Sequence, residues 1–138
     1  SAFAVPNLER PFGIGGGARE APSDRIAKDQ IQVFDDKVVL DLKGAEWAEF
    51  TPTGSMKPLF DENANAIEII PKQPSDLKVG DIVSYERAGQ GVIIHRIVSI
   101  GTDDSGWYAT IKGDNNAVAD AGKVRWDQIR RVVVAIIY

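Results

Sequence analysis

Val92-Ile93-Ile94-His95-Arg96-Ile97-Val98-Ser99-Ile100 is a run of mostly β-branched residues with a histidine and an arginine at its middle. Branched side chains lose rotamer freedom in a helix and pack well on a pleated surface, so the run reads as a long strand. Alternation places His95 on one face with Ile93, Ile97 and Ser99. The same signal recurs on either side. Residues 81–85 and 107–112 read as strands, set off by a turn with two glycines (86–91) and an acidic turn (101–106). Residues 131–138 close the chain as a buried strand. Further back, 66–70 is a strand ended by Pro71, 47–50 is short and aromatic, and 31–34 with 37–42 forms a hairpin around Asp35-Asp36. Ser23 predicts the cap of a short helix to about Gln30, and 126–130 predicts one helical turn. Residues 72–80 and 113–122 read as loops. Roughly eight short strands with little helix predict a mainly β fold, a coiled or barrel-like antiparallel sheet.

A chain of 138 residues fits one domain with a real core. Two parts are expected, a flexible Gly/Pro-rich arm over 1–22 and a single β-rich domain over 23–138. Gly13-Ile14-Gly15-Gly16-Gly17 in the arm has no strand before it and no Lys-Ser/Thr pair after it, so it reads as a linker rather than a phosphate loop. The net charge of −4 and the lack of a basic stripe argue against nucleic acid as a partner. The absence of cysteine removes thiol chemistry, disulfides and cysteine metal sites, and a single histidine argues against a histidine-rich one. No metal and no cofactor is expected. The apolar runs at 92–94 and 132–138 are far shorter than the about 20 residues of a membrane-crossing helix.

Chemistry concentrates at three places. Thr53-Gly54-Ser55-Met56-Lys57-Pro58 offers an exposed hydroxyl in a tight turn, with Gly54 permitting close approach of a substrate backbone and Pro58 fixing the far side. A nucleophilic serine needs this, together with N–H donors for an oxyanion. The same residues also make a plain turn. His95 reads either as a satisfied core histidine or as the base that takes the Ser55 proton; an imidazole ordinarily titrates near pH 6.5, which suits that work. A triad also needs a carboxylate on the imidazole N–H. Asp114 and Asp120 share the polar loop after a strand, and both stay open as that acid; Asp103, Asp104 and Asp127 read as solvated. Lys57, two residues from Ser55, is a rival base, but a lysine must be desolvated for the role and nothing around it suggests burial.

Together these segments resemble the type I signal peptidases, in their archaeal and endoplasmic-reticulum branch. A Ser-Met-x-Pro box is matched by Ser55-Met56-Lys57-Pro58, a Gly-Asp-Ile/Val strand by Gly80-Asp81-Ile82-Val83, and a His-Arg-hydrophobic-Val strand by His95-Arg96-Ile97-Val98. Lys112-Gly113-Asp114-Asn115-Asn116, with Asp120 six residues after Asp114, matches the last box. The boxes keep the family's order over residues from about 50 to the end. Bacterial relatives and the self-cleaving repressors that share the fold use a lysine where this chain has His95. The resemblance implies Ser55 as nucleophile, His95 as general base and Asp120 as the orienting acid, with Asp114 orienting the site or supporting its loop. It implies an oxyanion hole from the Ser55 N–H and Thr53, and the family's coiled β core. It further implies a secretory precursor as substrate, cut after small residues by acyl-enzyme chemistry. It also implies membrane association with the catalytic domain on the extracytoplasmic side, through an anchor that this chain, beginning at Ser1, does not contain. Residues 43–50 stand where the family usually has a membrane helix, Thr53 replaces a small residue, and Ala119 replaces an acid often seen beside Asp120. The first fifty residues match nothing in the family. The competing expectation is a non-catalytic binding module that keeps the peptidase fold.

Overall fold

The computed structural model describes residues 8–9 and 19–138. The strands are β1 (Ile31–Val33), β2 (Val38–Leu40), β3 (Glu46–Glu49), β4 (Asn65–Ile69), β5 (Ile82–Arg87), β6 (Gly91–Asp103), β7 (Gly106–Lys112), β8 (Val124–Arg125) and β9 (Ile129–Ile137). The chain is mainly β, as its β-branched runs predict. β1 and β2 form a separate hairpin; the other seven make one sheet in the order β3-β4-β9-β5-β6-β7-β8, with every pairing antiparallel.

β6 organises the sheet because it changes partner halfway. Its first part, 91–96, pairs with β5, and 96–103 pairs with β7. A register shift between Ile97 and Ser99 marks the crossover; such irregularities bend a strand and raise its twist. Over 91–95 the strand therefore has β5 on one side and no β7 partner on the other. His95 lies at the end of that half-paired stretch, opposite Val83.

Both faces of the sheet carry apolar clusters, because neighbouring strand residues point to opposite sides. Val83, Tyr85, Ile97, Ala109, Ile111 and Val132 belong to one cluster. Ile82, Ala66 and Val133 belong to the other, where Met56 and Phe60 pack on them and Phe50 stacks on Phe60 with ring centroids 4.1 Å apart. The segment between β3 and β4, which carries Ser55, is thus pinned to the sheet by its own apolar residues.

Several local expectations change. The helix predicted from Ser23 is only a 3-10 turn at Lys28–Gln30. Ser23 does not cap it; its backbone N–H donates to Asp81 Oδ1 at 2.7 Å. Short 3-10 turns also occur at Pro74–Asp76, inside the predicted 72–80 loop, and at Trp126–Gln128. β8 was too short to carry a pattern. Asp103 is held by Arg125 at 2.7 Å and Lys123 at 2.8 Å rather than by solvent alone, and these partners keep its carboxyl below the usual range. Most of the 1–22 arm lies outside the described residues; 19–22 run beside the Gly80-Asp81 turn. Among the described residues no helix is long and apolar enough to cross a membrane.

Candidate active site

Three segments converge at one end of β6. The first is the Ser55 turn. Gly54 sits at φ 70°, in the left-handed region that glycine enters without a Cβ penalty. The next residue but one, Met56, is 2% exposed and anchors the turn in the core. Ser55 is left between a buried anchor and an open glycine, at the surface of the cleft. The second segment is β6, which presents His95, only 8% exposed. The third is the 113–122 loop after β7. It folds back because Asp120 N–H donates to Ile111 O at 2.8 Å, and this returns the Asp120 carboxylate to the sheet.

The side chains meet in a line. His95 Nε2 lies 2.9 Å from Ser55 Oγ, and Nδ1 lies 2.8 Å from Asp120 Oδ2 and 3.1 Å from Oδ1. An ionised carboxylate only accepts, so Nδ1 carries the proton and Nε2 is free to accept from the Ser55 hydroxyl. Thr53 Oγ1 donates to Ser55 Oγ at 3.1 Å and accepts a long bond from Ser55 N–H at 3.3 Å. Of the predicted residues, Ser55, His95, Asp120 and Thr53 are thus in one hydrogen-bonded group.

Asp114 is elsewhere. Arg96 grips its carboxylate with two parallel bonds, Nε to Oδ1 and Nη2 to Oδ2, both 2.8 Å. Both residues are buried. Asp114 N–H points at Met56 Sδ, 3.4 Å away. Next to it, Asn115 donates its N–H to Ser55 O at 2.8 Å and its side-chain amide to Gly54 O at 3.1 Å. The Gly-Asp-Asn-Asn box therefore holds the serine turn from behind. Gly113 is required by the close approach. A Cβ there would lie 2.6 Å from Asn116 Nδ2, 2.9 Å from Ser55 O and 3.0 Å from His95 Nε2. Lys57 pairs with Asp61 at 3.1 Å and is more than half exposed, which leaves it without the desolvation a lysine base needs.

The chain is similar to the signal peptidase complex catalytic subunit SEC11 of Scheffersomyces stipitis, 38% identical over 71 residues, which covers 51% of this chain and 42% of that protein. It is similar to the SEC11 subunit of Debaryomyces hansenii, 38% identical over 72 residues, covering 51% and 42%. It is also similar to signal peptidase I W of Bacillus subtilis, 33% identical over 81 residues, covering 56% of this chain and 41% of that protein. The chain is a relative of the signal peptidases. Each match spans about two-fifths of the curated relative's length. No family model matches the chain, and no solved structure matches it.

In this signal-peptidase relative a further group completes the line. Tyr85, 1% exposed, donates its hydroxyl to Asp120 Oδ2 at 2.5 Å. Burial pushes the Tyr85 phenol up, and the Asp120 carboxylate beside it pushes it further, so it stays a neutral donor. Burial also works to raise the Asp120 carboxyl. The hydrogen bonds from His95 and Tyr85 outweigh that and hold it below the ordinary carboxylate range. Sequence reasoning missed Tyr85. The available signal was alternation: Val83 and Tyr85 share a face of β5, and Val83 is opposite His95. It also missed Arg96 as the partner of Asp114, although a buried arginine beside His95 on an apolar strand demands an acid.

Two spaces adjoin Ser55. One is a cleft of about 480 Å³ along the half-paired part of β6, bordered by Thr53, Ser55, Gln90, Val92, His95 and Asn116. The other is a small pocket of about 30 Å³, walled by Phe50, Gly54, Met56, Phe60 and Ile94.

Proposed function

We propose that this chain is a serine endopeptidase of signal-peptidase type that cuts precursor polypeptides after small residues. The observation that carries the reading is the unbroken line from Ser55 Oγ through His95 to Asp120, with contacts of 2.9 and 2.8 Å. A nucleophile, a base and an orienting acid within hydrogen-bond reach are what acyl transfer requires.

In this mechanism the Ser55 hydroxyl proton passes to His95 Nε2 as Oγ attacks the scissile carbonyl carbon. The oxyanion takes hydrogen bonds from Ser55 N–H and the Thr53 hydroxyl. In the free protein these two groups bond to each other, and the 3.3 Å length of that bond makes it easily exchanged for a charged acceptor. The resulting imidazolium is stabilised by Asp120, itself kept ionised by its hydrogen bonds from His95 and Tyr85. His95 gives its proton to the leaving amine, an acyl ester remains on Ser55, and water attacks it by the same route in reverse.

Two spaces beside Ser55 support the substrate class that the resemblance implies. The open backbone of residues 91–95 offers the donors and acceptors that an extended peptide pairs with. The pocket beside Ser55 is small, about 30 Å³, which favours a short side chain such as that of alanine next to the cut. By the same resemblance the precursor is met at a membrane, on its extracytoplasmic side.

The test is cleavage of a precursor peptide with an Ala-x-Ala site, in detergent or lipid, by the wild-type protein and Ser55→Ala side by side. Product from wild type alone supports the reading. If a serine-directed fluorophosphonate fails to label Ser55 and no peptide is cut, the chain is a binding module instead.

A further inference from the structure

Residues 19–25 cross behind the catalytic loop and are tied to it by charge. Arg19 Nη2 donates to Asp114 O at 2.5 Å, and its Nε lies 3.6 Å from Asp114 Oδ1. Arg96, which also grips Asp114, donates from Nη1 to Glu20 O at 2.8 Å and Gly80 O at 3.1 Å. The next turn of chain closes on Asp81, whose side chain is fully buried. Ser23 N–H donates to its Oδ1 at 2.7 Å and Arg25 Nη2 to its Oδ2 at 2.5 Å. Lys78 N–H supplies a further donor at 2.7 Å. Ala21 O packs so closely on Gly80 that a Cβ there would be 2.2 Å away. Gly80 and Asp81 in turn exchange backbone bonds with Ile97, two residues past His95, both at 2.8 Å.

We propose that residues 19–25 are a positioning strap for the catalytic loop, with Arg19 acting on Ser55 through Asp114 and Asn115. A buried carboxylate without its donors is strongly destabilised, so the strap is part of what keeps Asp81 and Asp114 in place. Asp114 is one residue from Asn115, which holds Ser55 O and Gly54 O, and Arg96 is one residue from His95. Both sides of the Ser55–His95 contact thus rest on groups that the strap completes. Arg19 is the member that can be removed gently, because its side chain is 46% exposed while that of Arg25 is 15% exposed.

The rate part of this inference rests on the peptidase reading; the structural part does not, and the experiment separates them. In the full chain, Arg19→Ala is compared with wild type, with Arg19→Lys, and with Arg130→Ala as a distant surface control. Two quantities are read: amide hydrogen exchange at Asn115, whose N–H bonds Ser55 O, and the rate of Ser55 labelling by a fluorophosphonate. Losing one charge-assisted bond predicts that Arg19→Ala reduces both Asn115 protection and labelling rate by about tenfold. Protection of core amides such as Val132 stays unchanged. Arg19→Lys recovers part of both, and Arg130→Ala changes neither. Gly80→Ala, which displaces the strap without removing a charge, reproduces the loss. If Arg19→Ala leaves Asn115 protection within twofold of wild type, the strap is not a positioning element. If wild type itself is not labelled, the peptidase reading fails, and the Asn115 exchange still decides the strap.

Discussion

Ser55, His95 and Asp120 come from a turn, a strand and a loop, and each link between them is a single hydrogen bond. Removing either end of the Ser55–His95 link therefore removes the unit. Ser55→Ala and His95→Ala should each lower kcat/KM on a precursor peptide by roughly 10⁴-fold or more, and the double variant should be little worse. The two acids should separate. Asp120→Asn, which offers Nδ1 the wrong partner, should cost about 10⁴-fold in kcat with the fold intact. Asp114→Asn leaves Arg96 buried with half its partner; breaking such a pair costs about 3 kcal/mol of stability, seen as a lower urea midpoint. Equal kinetic losses with no stability difference would reverse these assignments. Tyr85→Phe keeps the ring and deletes one of the two bonds that lower the Asp120 carboxyl. A carboxyl depressed in the folded state adds stability above its unfolded titration range and loses it as pH falls through the folded value. Without Tyr85 that fall starts at higher pH, so the acid-unfolding midpoint of Tyr85→Phe should move upward. An unmoved midpoint would mean that the phenol does not support the acid.

At the scale of elements, the sequence was most legible where one residue type repeats. β6 and β9 were readable from branched side chains, β7 from its aromatic and branched residues, and the β5–β6 turn from its glycines. β8 is two residues long, held by Val124 buried in the core and by Arg125 on Asp103, contacts no local pattern announces. Ser23 looked like a cap because helix propensity is local, whereas its N–H is claimed by Asp81, 58 residues away. The serine turn and the Gly-Asp-Asn-Asn box could each be read as ordinary turns. What the composition of the box did not reveal is that Gly113 is the point where loop, turn and strand touch. Gly113→Ala should therefore abolish labelling of Ser55 while far-UV circular dichroism stays native. Retained labelling would show that the loop gives way. Among core positions Ile111, fully buried in β7, should lose about 2–5 kcal/mol as alanine, measured by urea unfolding.

The described residues form one seven-stranded sheet with apolar clusters on both sides, plus a hairpin outside it. Ile82 and Val83, or Val132 and Val133, serve opposite clusters from adjacent positions, so neither cluster can melt while the other keeps its strands. Unfolding followed by tryptophan fluorescence, which reads Trp107 and Trp126 against one cluster together with the exposed Trp47, should coincide with unfolding followed by far-UV circular dichroism. The β1–β2 hairpin has an exposed β1, a half-buried β2 and no place in the larger sheet. Two strands alone are marginal, so its amides should exchange through local opening, well ahead of those of β5 and β9. Global organisation was the least legible part of the sequence, since strand order depends on contacts between distant segments.

Met56 is the chain's single methionine, and the chain has no cysteine. Its thioether lies next to Ser55 in the chain and faces the Asp114 amide. The molecule's most oxidisable atom is therefore placed where one added oxygen would turn an apolar anchor polar and loosen the serine turn. At 2% exposure the sulfur is shielded while the fold is closed. Peroxide should inactivate the native protein slowly and a urea-loosened one quickly, with sulfoxide at Met56 appearing in step with the loss of Ser55 labelling. The Ser55 turn would thus carry a built-in record of how often the fold has opened.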